Sequence, residues 1–349
     1  MSGGGLASLM QRRGLILLAA AAAVCAALAI AAVASGDRCA SRTAAERPAF
    51  PALAGELGDV ASVGLDRKGL AATFRRRGDL WLVAEKGDYP ADANKVRQVV
   101  LTLAEMRLIE PKTRLSNLYE RLDVEDPGGG KSTLVSVGDR SGKTLARLIV
   151  GKQRFDRLGA GNGGVYVRRP GDAQAWLASG ALDLSGDLAG WLDRQIVDIP
   201  DRRIAKVSLT QADGTRLVLS RAKPEAQFAV EGAPADTKLK SETATGEPAM
   251  ALEGLNLDDV APAAKVPLPK TGVATASYTT FDGLTLDLRL IERGKTDWIA
   301  VDATGSGKAT AEAKQIAARV SGWSYAIPSY KAAMIKTKLA DLVEPQKHS

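Results

Sequence analysis

Residues Trp81–Leu103 read WLVAEKGDYPADANKVRQVVLTL. Trp81 and Val83 lie on one face of a strand, since side chains alternate along an extended chain. Asp88-Tyr89-Pro90 interrupts it, because proline has no amide proton for a ladder. From Ala93 the period changes: Val96, Val99, Val100 and Leu103 fall at i, i+3, i+4 and i+7, one stripe of a helix. Lys95, Arg97 and Gln98 take the wet side.

The same offsets recur from Trp298. Trp298-Ile299-Ala300-Val301 reads as the strand, and Ala313, Ile316, Ala317 and Val320 as the stripe. A degraded copy starts at Phe228, its helix displaced by the polar stretch 231–247, with Pro248 suited to a first helical position and Leu252 and Leu255 a weak stripe. Each copy follows a hairpin: Val60–Leu65 with Leu70–Phe74, Ile204–Thr210 with Leu217–Arg221 around Asp213-Gly214, and Val273–Thr280 with Leu284–Ile291 around Asp282-Gly283. The pattern predicts three β-β-β-α units, with Trp81 and Trp298 as core anchors facing their helices.

Between units one and two the sequence predicts an inserted antiparallel segment. Ser132–Val137, Thr144–Val150, Gly164–Arg169 and Ala173–Leu177 are its strands, Tyr119–Pro127 a turn or extended passage, and Leu184–Trp191 a short helix. After unit three, Ser329 caps a final helix with Ala332, Ile335, Leu339 and Leu342 as its stripe, ending at Glu344-Pro345 and docking on its own core.

Upstream, Gly14–Ala34 is nearly all Leu, Ile, Val and Ala and follows Arg12-Arg13. It is long enough to cross a bilayer as a helix. It exceeds the apolar core of a cleaved signal and reads as an uncleaved anchor; cleavage after Ala32-Val33-Ala34 is the alternative. Arg12 and Arg13 argue for a cytoplasmic N-terminus, Arg38, Arg42 and Arg47 beyond the run dilute that bias, and a short tail before one anchor and a large domain favours export, so the expected location is a bacterial inner membrane, single-pass, with a periplasmic soluble part. The expected fold is α+β: a tail and transmembrane anchor at 1–36, a linker at 37–57, unit one at 58–112, the inserted β-rich segment at 113–200, unit two at 201–265, and unit three with the C-terminal helix at 266–349.

The 349 residues are 45% hydrophobic, 25% charged and 5% aromatic, with a net charge of +7. That basicity suits an anionic polymer or lipid headgroup better than nucleic acid, for which no stacking platform or basic helix is present. Arg168, Arg169 and Arg75–Arg77 would carry such binding, although Arg75–Arg77 also reads as the charged end of an edge strand. Of two cysteines, Cys25 lies in the apolar run and Cys39 beyond it, so the soluble part holds neither a disulfide nor a Cys/His metal site. His348 is the single histidine, on the tail, which excludes a Ser-His-Asp or Cys-His system within the fold unless a second chain supplies the base. Gly142-Lys143-Thr144 ends like a phosphate loop but leads into a strand, and Val137 stands where the first glycine belongs; Gly130-Lys131-Ser132 fails likewise. Asp123, Glu125 and Asp126 form a local carboxylate cluster, the one route to acid–base chemistry, but acidic residues beside a turn are usually solvated. The sequence therefore supports no enzyme, no cofactor and no catalytic, cofactor-binding or metal residue.

The Trp81 strand and helix, Tyr119–Pro127, Leu148-Ile149-Val150-Gly151, Val165-Tyr166-Val167-Arg168 and Trp323–Lys331 together resemble the DUF4340 family. That resemblance implies a membrane-anchored protein encoded beside ABC-type transporter permeases and gliding-motility-like auxiliary proteins. It implies an accessory or scaffold subunit with a permease or auxiliary partner, and no catalytic residue. One departure is visible: Glu120-Arg121 precede Leu122 where the family has a short glycine turn.

Overall fold

The computed structural model describes residues 46–128, 130–154, 164–233, 238–241 and 243–344. The expected anchor, Cys25, Cys39 and His348 lie outside them, and no helix among the described residues is long and apolar enough to cross a membrane. The fold is mixed α+β, built mostly of antiparallel sheet with few helices.

The first half contributes β1 (Arg47–Pro48), β2 (Val60–Arg67), β3 (Leu70–Arg77), β4 (Leu80–Val83), β5 (Tyr89–Pro90), β6 (Arg107–Pro111), β7 (Thr133–Asp139), β8 (Thr144–Arg154), β9 (Gly164–Arg168) and β10 (Ala175–Ser179). The second contributes β11 (Gln195–Val197), β12 (Ile204–Thr210), β13 (Arg216–Ser220), β14 (Ala229–Val230), β15 (Leu255–Asn256), β16 (Asp259–Pro262), β17 (Ala274–Thr280), β18 (Leu284–Arg293), β19 (Thr296–Gly305) and β20 (Trp323–Ile327). One sheet runs β1-β6-β10-β9-β8-β7-β2-β3-β4-β5 and the other β14-β13-β12-β17-β18-β19-β20-β16, with β11 and β15 paired separately.

Read from β4, the first sheet is β4-β3-β2-β7-β8-β9-β10-β6. Adding ten to each number gives the second sheet strand for strand, and every join in both is antiparallel. The irregularities coincide as well. The β2–β7 ladder slips between Val60 and Ser62, and the β12–β17 ladder slips between Ile204 and Lys206, both 144 residues further along. A bulge bends its strand at a defined place, so a shared bulge marks a shared module. The chain is one module built twice.

This corrects the threefold reading. The helix Ala93–Glu105 does form, with Val96, Val99, Val100 and Leu103 buried. Asp92 caps it, accepting from the amides of Asn94 (2.9 Å) and Lys95 (3.1 Å). The helix Thr310–Val320 also forms and buries Ala313, Ile316 and Val320. It sits between β19 and β20, however, where the first half has only the short connection between β9 and β10. Its tryptophan is not the counterpart of Trp81. Leu288 and Leu290 face the core and pair with Val301 and Ile299, so Trp298, opposite Ile291, points to the other side. A one-residue offset along a strand exchanges its faces. Counting through the ladders, Trp298 corresponds to Tyr166, and the residue equivalent to Trp81 is Phe228. Behind Phe228 the expected helix is a 3-10 segment, Ala244–Leu252, with Pro248 inside it.

Three further expectations change. Residues 46–57, assigned to the linker, fold onto the first sheet: β1 pairs with β6, and Ala49 and Leu53 are buried. The Arg75–Arg77 run does not end an edge strand, since β4 and β5 lie outside β3. Of the two forms expected for Tyr119–Pro127, the turn is the one that forms: the 3-10 helix Ser116–Arg121 runs into further turn at 122–123. The final helix is two, Ser329–Ile335 and Leu339–Leu342, with no side-chain cap from Ser329, although Ala332, Ile335 and Leu342 dock on the core as expected.

One hydrophobic core runs through both halves. Where they meet, Tyr89 packs edge-on to Trp323 (4.9 Å) and Lys86 pairs with Asp259. Burial pushes the Tyr89 hydroxyl pKa up to about 12. A Cβ on Gly87, which has φ +73°, would stand 2.7 Å from the Pro262 ring, so this seam needs glycine for both space and backbone conformation.

Candidate functional site

Three of the segments that carry the resemblance, Tyr119–Pro127, Leu148–Gly151 and Val165–Arg168, come together at one corner of the first sheet. Tyr119, Val124, Ile149 and Ala175 form a small buried cluster there, with Leu122, Leu134 and Tyr166 against it. The 3-10 turn Ser116–Arg121 lies over the sheet, and its Tyr119 hydroxyl donates to the Ala173 carbonyl (2.7 Å). Arg168 passes beneath. Only 3% exposed, it donates Nε–H to the Val124 carbonyl (2.8 Å) and Nη1–H to the Asp172 carbonyl (3.2 Å). It pairs through Nη2 with Asp126 (2.6 Å) and stacks 4.5 Å from the Tyr119 ring. Gly151 completes the corner, since a Cβ there would lie 2.2 Å from the Leu122 carbonyl oxygen and 2.6 Å from that of Asp123.

The three carboxylates of the sequence cluster do not converge. Asp126 holds Arg168, Asp123 lies 3.7 Å from the Lys152 ammonium, and Glu125 folds over Gly130. Asp123 adopts φ +54°, a left-handed conformation that aspartate tolerates better than most residues. It supplies the bend that follows the Ser116–Arg121 turn. Arg168 is thus a buried brace, not a surface for a polymer. Arg169 is half committed too, donating to the Ala49 carbonyl and lying over the Phe50 ring (5.6 Å).

Gly142-Lys143-Thr144 forms the hairpin between β7 and β8. The Asp139 carboxylate takes the loop's donors: Ser141 N–H (2.8 Å), Ser141 Oγ–H (2.7 Å) and Lys143 N–H (2.9 Å). Those bonds hold its pKa below the usual carboxylate range. Amides that a phosphate would need already have an anion.

A second place was not legible in the sequence. Leu57, Val60, Trp81, Val100 and Leu101 line a recess of about 420 Å3 between the helix Ala93–Glu105 and the sheet, with Arg76, Arg97 and Asp79 around it. Leu101 lies off the helix's buried stripe and is 43% exposed. Arg76 donates Nε–H to the Gly78 carbonyl (3.1 Å). Among the described residues, neither Arg76 nor Arg97 has a carboxylate within ion-pair distance. The signal available in advance was Leu101, an apolar residue outside the stripe. Trp298, on its outward face, lines a recess of about 410 Å3 with Asp258, Asp259 and Asp297. Each of these carboxylates has its own cation: Arg194, Lys86 and Lys336. Among the described residues no group of His, Cys, Asp and Glu could hold a metal ion.

Residues 81–277 match the profile of a domain of unknown function (DUF4340). No curated protein and no solved structure matches the chain. The matched span opens on the Trp81 strand, takes in the whole Tyr119–Arg168 corner and closes within β17 of the second module. The chain belongs to the DUF4340 family.

Proposed function

We propose that this chain is a non-catalytic, membrane-anchored accessory or scaffold protein of the bacterial cell envelope, working beside an ABC-type transport system. The observation that supports this reading is the use to which the family corner puts its charged groups. Arg168, Asp126, Asp123 and Lys152 are all engaged in holding one loop against one sheet. A corner so braced preserves a shape that a partner can recognise. The expected arrangement is a single N-terminal anchor with the two-module body in the periplasm, against a permease or auxiliary subunit. Affinity capture of the full chain in mild detergent, under several growth conditions, tests it. Recovery of a permease or its auxiliary subunit supports the proposal, and capture of no membrane partner in any condition removes its basis. Maleimide labelling of Cys39 from outside intact spheroplasts tests the orientation.

The alternative, binding of an anionic envelope polymer or headgroup through Arg168, Arg169 and Arg75–Arg77, loses its first residue to burial. Of that set, Arg75–Arg77 and Arg169 stay on the surface, Arg169 with one bond committed to the Ala49 carbonyl.

A further inference from the structure

The duplication lets one half interpret the other. In the second module, Arg221 occupies the ladder position that Arg76 holds in the first, and Phe228 the position of Trp81. Arg221 closes inward. It stacks 4.3 Å from the Phe228 ring, donates Nε–H to the Ile204 carbonyl (2.9 Å), and donates through Nη2 to the Asp201 carbonyl (2.5 Å). Its side chain is 6% exposed. Ile204 and Asp201 are the counterparts of Val60 and Leu57, 144 residues further along. In the first module those same positions, Leu57, Val60 and Trp81, line the open recess, and Arg76 stays at its rim on the Gly78 carbonyl. A place that one module fills with its own guanidinium is vacant in the other.

We infer that the Trp81 recess is a binding site for a small anionic amphiphile. Its apolar body lies against Trp81, Val60, Val100 and Leu101, and its acidic head between Arg76 and Arg97. The volume, about 420 Å3, falls in the range of small-molecule sites, about 300–1,000 Å3. Two guanidiniums without carboxylate partners among the described residues face one carboxylate, Asp79, so the balance favours an anion. Arginine forks suit carboxylate and phosphate heads alike. The inference does not depend on the accessory role proposed above, since a ligand can be held with or without a protein partner.

Photocrosslinking tests it on the full chain in phosphatidylcholine vesicles. The probes share one diazirine-bearing alkyl chain and differ in head group: carboxylate, phosphate monoester, alcohol or trimethylammonium. After irradiation and digestion, the carboxylate or phosphate probe should mark peptides containing Trp81 or Leu101 about tenfold more than the ammonium probe, the scale of one charge-assisted contact. The stronger of the two anionic probes identifies the head group. R76E/R97E should reduce that labelling to the ammonium level, and D79N should raise it. All three positions are exposed, so the variants should unfold at the wild-type temperature. Equal labelling by the four probes, or labelling indifferent to R76E/R97E, overturns the proposal. So does labelling that appears only in R76A, which would mean that Arg76 closes the recess as Arg221 does.

Discussion

Replacing Arg168 by alanine removes a brace from a place that water does not reach. The guanidinium makes three hydrogen bonds, at 2.6, 2.8 and 3.2 Å, and covers the Tyr119 ring. Hydrogen bonds to a charged group contribute about 1.5–3 kcal/mol each, and a desolvated cation–aromatic stack about 1–2 kcal/mol. Burying the charge opposes these gains, so the net loss is about 3–5 kcal/mol, the usual result of breaking a buried ionic group. At about 2–4 °C per kcal/mol for a domain of this size, the melting temperature should fall by about 6–20 °C. Asp126 distinguishes brace from charge pair. Its side chain is 79% exposed, so Asp126→Asn should cost less than about 1 kcal/mol. Arg168→Lys keeps the charge but loses the fork and should lie between the two. Thermal unfolding of the purified full chain, followed by tryptophan emission, measures all three. An Arg168→Ala melt within 1–2 °C of wild type would refute the account of the corner.

Other outcomes follow from the same geometry. Gly151→Ala puts a methyl group 2.2 Å from the Leu122 carbonyl oxygen and should cost several kcal/mol or prevent accumulation. Gly55→Ala, with nothing within 4 Å, should stay within about 0.5 kcal/mol of wild type; expression and melting curves compare the two. Ile299→Ala should cost about 2–5 kcal/mol and Trp298→Ala much less, as read by urea denaturation. Arg203 holds the Glu312 carboxyl below its usual pKa, and the Thr280 hydroxyl, with Arg203 as a second donor, does the same for Asp282. A depressed carboxyl stabilises the fold above its unfolded pKa, and the contribution is lost as pH falls through the folded value. Wild type should therefore lose stability as pH falls below about 4. Arg203→Gln should flatten that part of a stability-against-pH curve; an unchanged slope would remove these groups from the acid response.

Much of the local structure was legible because burial writes a period into the sequence. The stripe Val96, Val99, Val100 and Leu103 gave its helix, and the hairpins around Asp213-Gly214 and Asp282-Gly283 formed as the turn residues predict. What misled was the equal spacing after Trp81 and Trp298. A short apolar strand carries side chains on both faces, and tryptophan at the seam or the surface looks the same in sequence as tryptophan in the core. Only the ladder partners, Ile291 for Trp298 and Arg76 for Trp81, say which side each takes. The true duplication is hidden because the modules keep their strand order and bulge while exchanging their helices. One has a helix after β5, the other after β19. Nor could the sequence foretell that Asp123, Glu125 and Asp126 would diverge, since three near neighbours on a bent segment point in different directions. Arg168 looked like surface charge because arginine usually is; its burial depends on Tyr119 and Val124, some forty-five residues away.

The central claim is that two copies of one sheet module make the body, and that their registers set Trp81 inward and Trp298 outward. Cysteine accessibility in a C25S/C39S background tests this directly, with single cysteines at 80, 83, 298 and 299 and a maleimide reagent on the folded protein; Val83 shares the face of Trp81 and is fully buried away from the recess. Positions 80 and 298 should react readily, and positions 83 and 299 only after denaturant is added. Protection at 298 with ready labelling at 299 would contradict the register, and with it the duplication.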